Sequence, residues 1–198
     1  PLVIDPGPVV RWGLPIAKLI FNLGVATALG SLVLALFGLS SAKPEFDRAL
    51  DVAAAGAAVW TVAAAASAFF SFTTIYNTAP SLDERYGEAL GTFLTEIESG
   101  RAWLITLLVG AALTVLCFAV RNVTALGIIT AATAVGLAPL AEQGHAGGAA
   151  DHNLAVTALW LHLIFAAVWV GGLLLLVVLR ASAGPDRLAA ILPRYSTL

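Results

Sequence analysis

Methionine is absent from this sequence of 198 residues, and cysteine occurs once, at Cys117. The first absence leaves no thioether ligand for a soft metal, and the second excludes an intrachain disulfide. Charge is scarce as well. Asp, Glu, Lys and Arg make up 11% of the residues, against about 25% in soluble domains. The net charge is -2 and no basic run occurs, so nucleic-acid binding has nothing to rest on. Cys-x-x-Cys pairs, phosphate-binding glycine loops and hydrolase arrangements are missing too, and catalysis is not expected.

What is present is apolar: 60% of the residues are hydrophobic and the mean hydropathy is +0.93. A soluble fold of this length cannot hide so much apolar surface in one core, so the surplus must face lipid. About 20 apolar residues are needed to cross a hydrocarbon layer of roughly 30 Å. Five stretches reach about that length, at 15–39, 52–76, 102–120, 123–140 and 154–179, the fourth carrying Pro139 near its end. Backbone groups inside lipid must be satisfied within the segment, and strand alternation is absent, so the spans read as helices. The expected fold is an all-α, polytopic transmembrane bundle forming one domain over 1–198. Its opening at Pro1 and its close at 192–198 without a terminal signal read as those of part of a longer chain.

Between the second and third spans, Leu82, Tyr86, Leu90, Phe93, Leu94 and Ile97 recur at helical spacing. Asp83, Glu84, Glu88, Glu96 and Glu98 fall mostly on the other side. This pattern predicts an amphipathic interfacial helix over 82–98, its acidic face solvated. If the fifth span ends in the cytoplasm, Lys43, Arg48, Arg121, Arg180, Arg187 and Arg194 lie inside. Arg11, Lys18, Arg85 and Arg101 then lie outside, a modest positive-inside bias. Small residues supply the expected helix contacts: Gly24 and Ala28, the alanines from Ala53 to Ala66, the stripe Ser67-Ser71-Thr74, and Thr106-Gly110-Thr114-Cys117.

The three histidines all lie from Gly144 onward. His145 and His152 flank a glycine-rich loop that also holds Asp151, and two imidazoles with a carboxylate could converge on one copper or zinc ion. Their spacing matches no defined metal motif; Asp151 or Asn153 could instead cap the following helix. His162 lies inside the fifth span, where an ionisable group is costly and marks a functional candidate. It shares a face with Ala155, Ala158, Ala166 and Trp169, with room for a partner helix or an ion, and Trp169 is expected to fill that interface. The competing reading is a neutral histidine hydrogen-bonded within the bundle; proton relay is a third. Cys117 and His162 differ by about 10 Å in depth at 1.5 Å per residue, so one ion cannot touch both. Haem held by two histidines needs a second intramembrane histidine, which this sequence lacks; haem ligation would need more of the chain.

Two stretches carry a family resemblance. Residues Phe93-Leu94-Thr95-Glu96-Ile97-Glu98-Ser99-Gly100-Arg101-Ala102-Trp103-Leu104 resemble the approach to a helix in the copper resistance protein D family. Residues Leu159-Trp160-Leu161-His162, followed by Ala166-Ala167-Val168-Trp169-Val170-Gly171-Gly172-Leu173, resemble a later helix of that family. The opening Asp5-Pro6-Gly7 and Val10-Arg11-Trp12-Gly13-Leu14-Pro15 is similar to an actinobacterial form fused to a cytochrome c oxidase assembly half. The resemblance implies a multi-pass protein of the bacterial plasma membrane that imports copper or delivers it toward oxidase assembly. It points to His162 as an intramembrane copper ligand, with His145 and His152 as an outer capture site. Lipid, a copper chaperone and respiratory oxidase subunits are the implied partners. The rival is a structural or assembly partner of a respiratory complex that binds no metal.

Overall fold

The computed structural model describes residues 7–78, 80–142, 152–181 and 183–197, and among them it contains eight helices and no strand. They are α1 (Gly7–Gly38), α2 (Pro44–Tyr76), α3 (Glu84–Glu96), α4 (Glu98–Ala119), α5 (Val123–Gly136), α6 (Ala138–Glu142), α7 (His152–Arg180) and α8 (Pro185–Ser196). Five segments are long and apolar enough to cross a membrane: Pro8–Gly38, Pro44–Tyr76, Glu98–Ala119, Val123–Ala141 and Leu154–Arg180. The chain is an all-α, multi-pass membrane protein. Large apolar side chains such as Val62, Leu108, Val115, Phe118, Ile128 and Phe165 stand exposed around the bundle, which suits acyl chains and not water.

The first two spans start well before the positions expected from hydropathy. α1 runs through Pro15 from Gly7, because its first turns need no apolar side chains once they leave the hydrocarbon. Arg11 and Trp12 are residue types suited to that border. In α2, Lys43 is extended ahead of Pro44 at the first helical position, and Glu45 and Asp47 complement the helix dipole. Asn77 then closes the helix in the left-handed conformation, φ 48° and ψ 45°. The fourth span breaks in two at Leu137. Pro139 accounts for this, since it lacks an N–H and its ring crowds the carbonyl four residues back.

α3 is shorter than the 82–98 expected. Asp83 caps it, accepting from the Tyr86 N–H at 2.7 Å and from the Ser81 hydroxyl at 2.7 Å. Leu82 therefore lies outside the helix and is fully exposed, while Ile97 is extended and turns the chain into α4. Phe93 is buried and packs with Phe72 and Tyr76 of α2. The Ser81 and Tyr86 hydrogen bonds hold the Asp83 carboxyl below its usual range. A lowered folded pKa means the cap is complete above the ordinary carboxylate range and is lost as pH falls through the folded value. Hydrogen-exchange protection of the Tyr86 amide, corrected for intrinsic rate, should therefore fall only once pH drops below the ordinary carboxylate range. Asp83→Asn should keep the cap without that pH dependence, and equal pH profiles for the two chains would refute the assignment.

α1 is the central strut. It packs along α2 on one side and along α7 on the other, and α2 carries α4 on its far flank. Small residues set these approaches, as expected, although Thr74, counted among them in the sequence, is exposed and donates to the Phe70 carbonyl of its own helix. A Cβ on Gly24 would stand 2.6 Å from the Trp60 nitrogen, and one on Gly56 would stand 2.7 Å from the Ala28 nitrogen. Ser67, Thr106 and Cys117 are fully buried in the same seams.

α8 was not separately expected. It is amphipathic, starts at Pro185, and folds back across the end of α1. Arg187 pairs with Glu45 at 2.5 Å, and Arg194 donates to the Gly38 carbonyl at 3.1 Å.

Candidate functional site

Three contacts fix the rotation of α7. Trp160 donates its indole N–H to the Ala134 carbonyl at 2.9 Å, and the Tyr195 hydroxyl donates to the Trp169 carbonyl at 2.7 Å. Burial raises the Tyr195 pKa, which keeps that hydroxyl a donor. Just beyond Trp169, Gly171 and Gly172 bring the α7 backbone directly onto Gly30 and Ala26 of α1.

At about 100° per residue, His162 lies about half a turn round the helix from Gly171. The seam that buries the glycine pair therefore turns the imidazole outward. His162 is exposed on the outer surface of α7, with Ala158 and Ala166 beside it, and it makes no hydrogen bond among the described residues. Trp169 shares this outer face at 64% exposure. The expectation that its ring fills a helix interface inside the bundle is corrected: among the described residues, hydrogen bonding engages its backbone carbonyl while the ring stands exposed.

His145 and Asp151 lie outside the described residues, and of His152 only its place at the start of α7 is described. Cys117 is fully buried and free of any disulfide. Among the described residues no group of three or more His, Cys, Asp or Glu side chains gathers where a metal could be held. The described part of the chain thus offers one outward imidazole to a metal. The remaining ligands of any site there must come from another helix.

One polar feature went unread in the sequence, where Lys18 served only to count charges. Lys18 and Asn22, one helical turn apart on α1, line a cavity of about 440 Å³ between α1, α4, α7 and the α5–α6 region. The other walls are largely aromatic and aliphatic, and Trp160 has already spent its N–H on Ala134. The signal available was the spacing itself: a lysine and an asparagine four residues apart inside an apolar run. His162 does not line this cavity.

A family model described as "Copper resistance protein D-like, N-terminal domain" matches residues 9–152, well over half of the chain. The match takes in α1 to α6 and stops before His162. Comparison with curated proteins and with solved structures finds no match.

Proposed function

The chain belongs to the copper resistance protein D-like family through its N-terminal domain, and from that premise we propose that it carries copper through the bacterial plasma membrane or hands it on toward oxidase assembly. The observation that carries this reading is His162: an imidazole inside an apolar span, on the outer surface of α7, with no hydrogen-bond partner among the described residues. Such a group is costly in lipid unless something covers and ligates it. Imidazole is a good ligand for copper, and no methionine competes for the role. In this reading His162 supplies one intramembrane ligand, a neighbouring helix supplies the others, and His145 with His152 forms the outer capture site. Copper is cargo here, and no reaction chemistry is assigned to the chain.

The same outward face motivates a second reading. Ala158, His162, Phe165 and Trp169 would form a contact surface for a respiratory membrane complex, with the imidazole hydrogen-bonded across it and no metal involved.

Elemental analysis of the full-length protein in detergent, wild type beside His162→Ala, separates the two. The copper reading expects bound copper in the wild type and at least about a tenfold loss of affinity in the variant, as for other metal-site disruptions. Copper equally absent from both chains, with oxidase subunits co-purifying with each, would replace it with the assembly reading.

A further inference from the structure

α8 is tied to three helices by polar contacts and buries little of itself against any of them. Arg187 pairs with Glu45 of α2, Arg194 donates to the Gly38 carbonyl that ends α1, and the Tyr195 hydroxyl donates to the Trp169 carbonyl of α7. Of the α8 residues only Ile191 is buried. Beneath the helix lies a hollow of about 220 Å³, lined in part by Gly38, Leu39, Lys43, Glu45, Ala190 and Ile191. An element held by polar ties over unfilled space, with little apolar surface buried, belongs to the part of a fold that opens first.

The carboxylate under α8 opposes closure. The Glu45 side chain is 8% exposed, and its Oε2 has no hydrogen-bond partner from any other described residue. Closing α8 therefore takes this charge out of water and returns one ion pair to it. For a dehydrated pair, the Coulombic gain and the lost hydration nearly cancel. Arg194 and Tyr195 add two ordinary hydrogen bonds and Ile191 one buried side chain, so the closed position holds by a small margin. Gly184 supplies a joint. It caps α8, stands between buried Ala183 and Pro185, and a Cβ on it would meet nothing within 4 Å.

We propose that α8 is a strap that opens and closes about Gly184 and is latched by the Glu45–Arg187 pair. Closed, it dehydrates Glu45 and holds the Trp169 carbonyl through Tyr195. Open, it presents the Glu45 carboxylate to water at this end of the bundle and gives up that hold on α7. The other restraints on α7, Trp160 and the Gly171–Gly172 seam, stay in place. The strap thus couples the charged turn between α1 and α2 to the helix that carries His162. It works with or without a metal, so the inference is independent of the copper reading.

The test uses the full-length protein in detergent carrying Ile191→Cys, labelled with a polyethylene glycol maleimide far too large to enter the hollow. Native Cys117 is fully buried and free, and reports opening of the whole bundle. The thiol introduced at 191 should label at least about tenfold faster than Cys117. It should label about ten to a thousandfold slower than one introduced by Ala189→Cys on the exposed side, as befits a minor open state. Arg187→Glu should speed labelling at 191 by at least about tenfold and leave Cys117 unchanged, because a dehydrated carboxylate cannot face a second one. Adding Glu45→Arg to Arg187→Glu should restore the slow rate, which a general loosening would not allow. If Arg187→Glu does not fold, the chain carrying Ile191→Cys alone still decides. Labelling at 191 no faster than at Cys117, labelling as fast as at 189, or equal acceleration of 191 and Cys117 by Arg187→Glu would each overturn the strap. So would failure of the exchanged charges to restore protection.

Discussion

Gly171→Leu should separate α7 from α1 and leave little folded protein in detergent. A Cβ on Gly171 would fall on the Ala26 carbonyl and come within 3.0 Å of the Gly30 Cα, while a Cβ on Gly30 would fall on the Gly171–Gly172 backbone. These are main-chain atoms on both sides, so no rotamer change can relieve the overlap. The helices must move apart. In lipid no hydrophobic force pulls them together again, because association rests on close packing. Overpacking a well-filled core costs roughly 1–3 kcal/mol where side chains can shift. With backbone against backbone, the loss should reach at least the top of that range. Gly127 on α5 is the internal control, since a Cβ there meets nothing within 4 Å. Gly127→Ala should be neutral or stabilising by up to about 1 kcal/mol, from helix propensity alone. Thermal unfolding in the same detergent should come much earlier for Gly171→Leu and at or above the wild-type midpoint for Gly127→Ala. A Gly171→Leu chain that melts with wild type would show that α7 does not sit on α1 in this way.

That glycine pair also explains why part of the molecule was legible in the sequence and part was not. Five spans could be read because apolar runs of that length have no other use, and the amphipathic period marked α3, although Asp83 was read as part of its acidic face and not as its cap. The starts of α1 and α2 could not be read from hydropathy. Their first turns carry Arg11, or Glu45, Asp47 and Arg48, which behave as helix residues once they stand outside the hydrocarbon. α8 is too short and too polar to register as a span, and its place depends on Glu45 and the Gly38 carbonyl, far away in sequence. The facing of His162 turned on a choice between two small-residue faces of one helix. Ala155, Ala158 and Ala166 suggested that its side was the packed one. Glycine permits closer backbone approach than alanine, so Gly171 and Gly172 took the seam and set the histidine opposite. The same competition put the Trp169 ring outside. Lys18 and Asn22 were visible as residues, but only the meeting of α1, α4 and α7 makes them two points on one cavity wall.

Trp60→Ala should be the most damaging substitution of a large side chain, and comparison with Trp60→Phe resolves why. Trp60 is fully buried on α2, stands edge-on to Phe21 of α1 with ring centroids 6.0 Å apart, and donates its indole N–H to the Thr106 carbonyl of α4 at 3.1 Å. One side chain thus joins three spans. Removing it leaves a cavity that neighbouring backbones cannot close, because Gly24 and Gly110 already lie against it. Losses of about 3–5 kcal/mol accompany comparable truncations in protein cores. Trp60→Phe retains much of the ring and its contact with Phe21 but gives up the hydrogen bond, worth about 1 kcal/mol, and some volume. Denaturant titrations should therefore rank wild type, Phe and Ala in that order, with the larger step between Phe and Ala. Equal losses in the two variants would place the energy in the hydrogen bond and not in the packing. The site and the scaffold should also come apart in this experiment. Trp60 lies in the α1–α2–α4 seams and His162 on the outer face of α7, so Trp60→Phe should lower stability while leaving copper per folded molecule unchanged. His162→Ala should do the reverse, since an exposed side chain without a hydrogen bond contributes little to holding the bundle together.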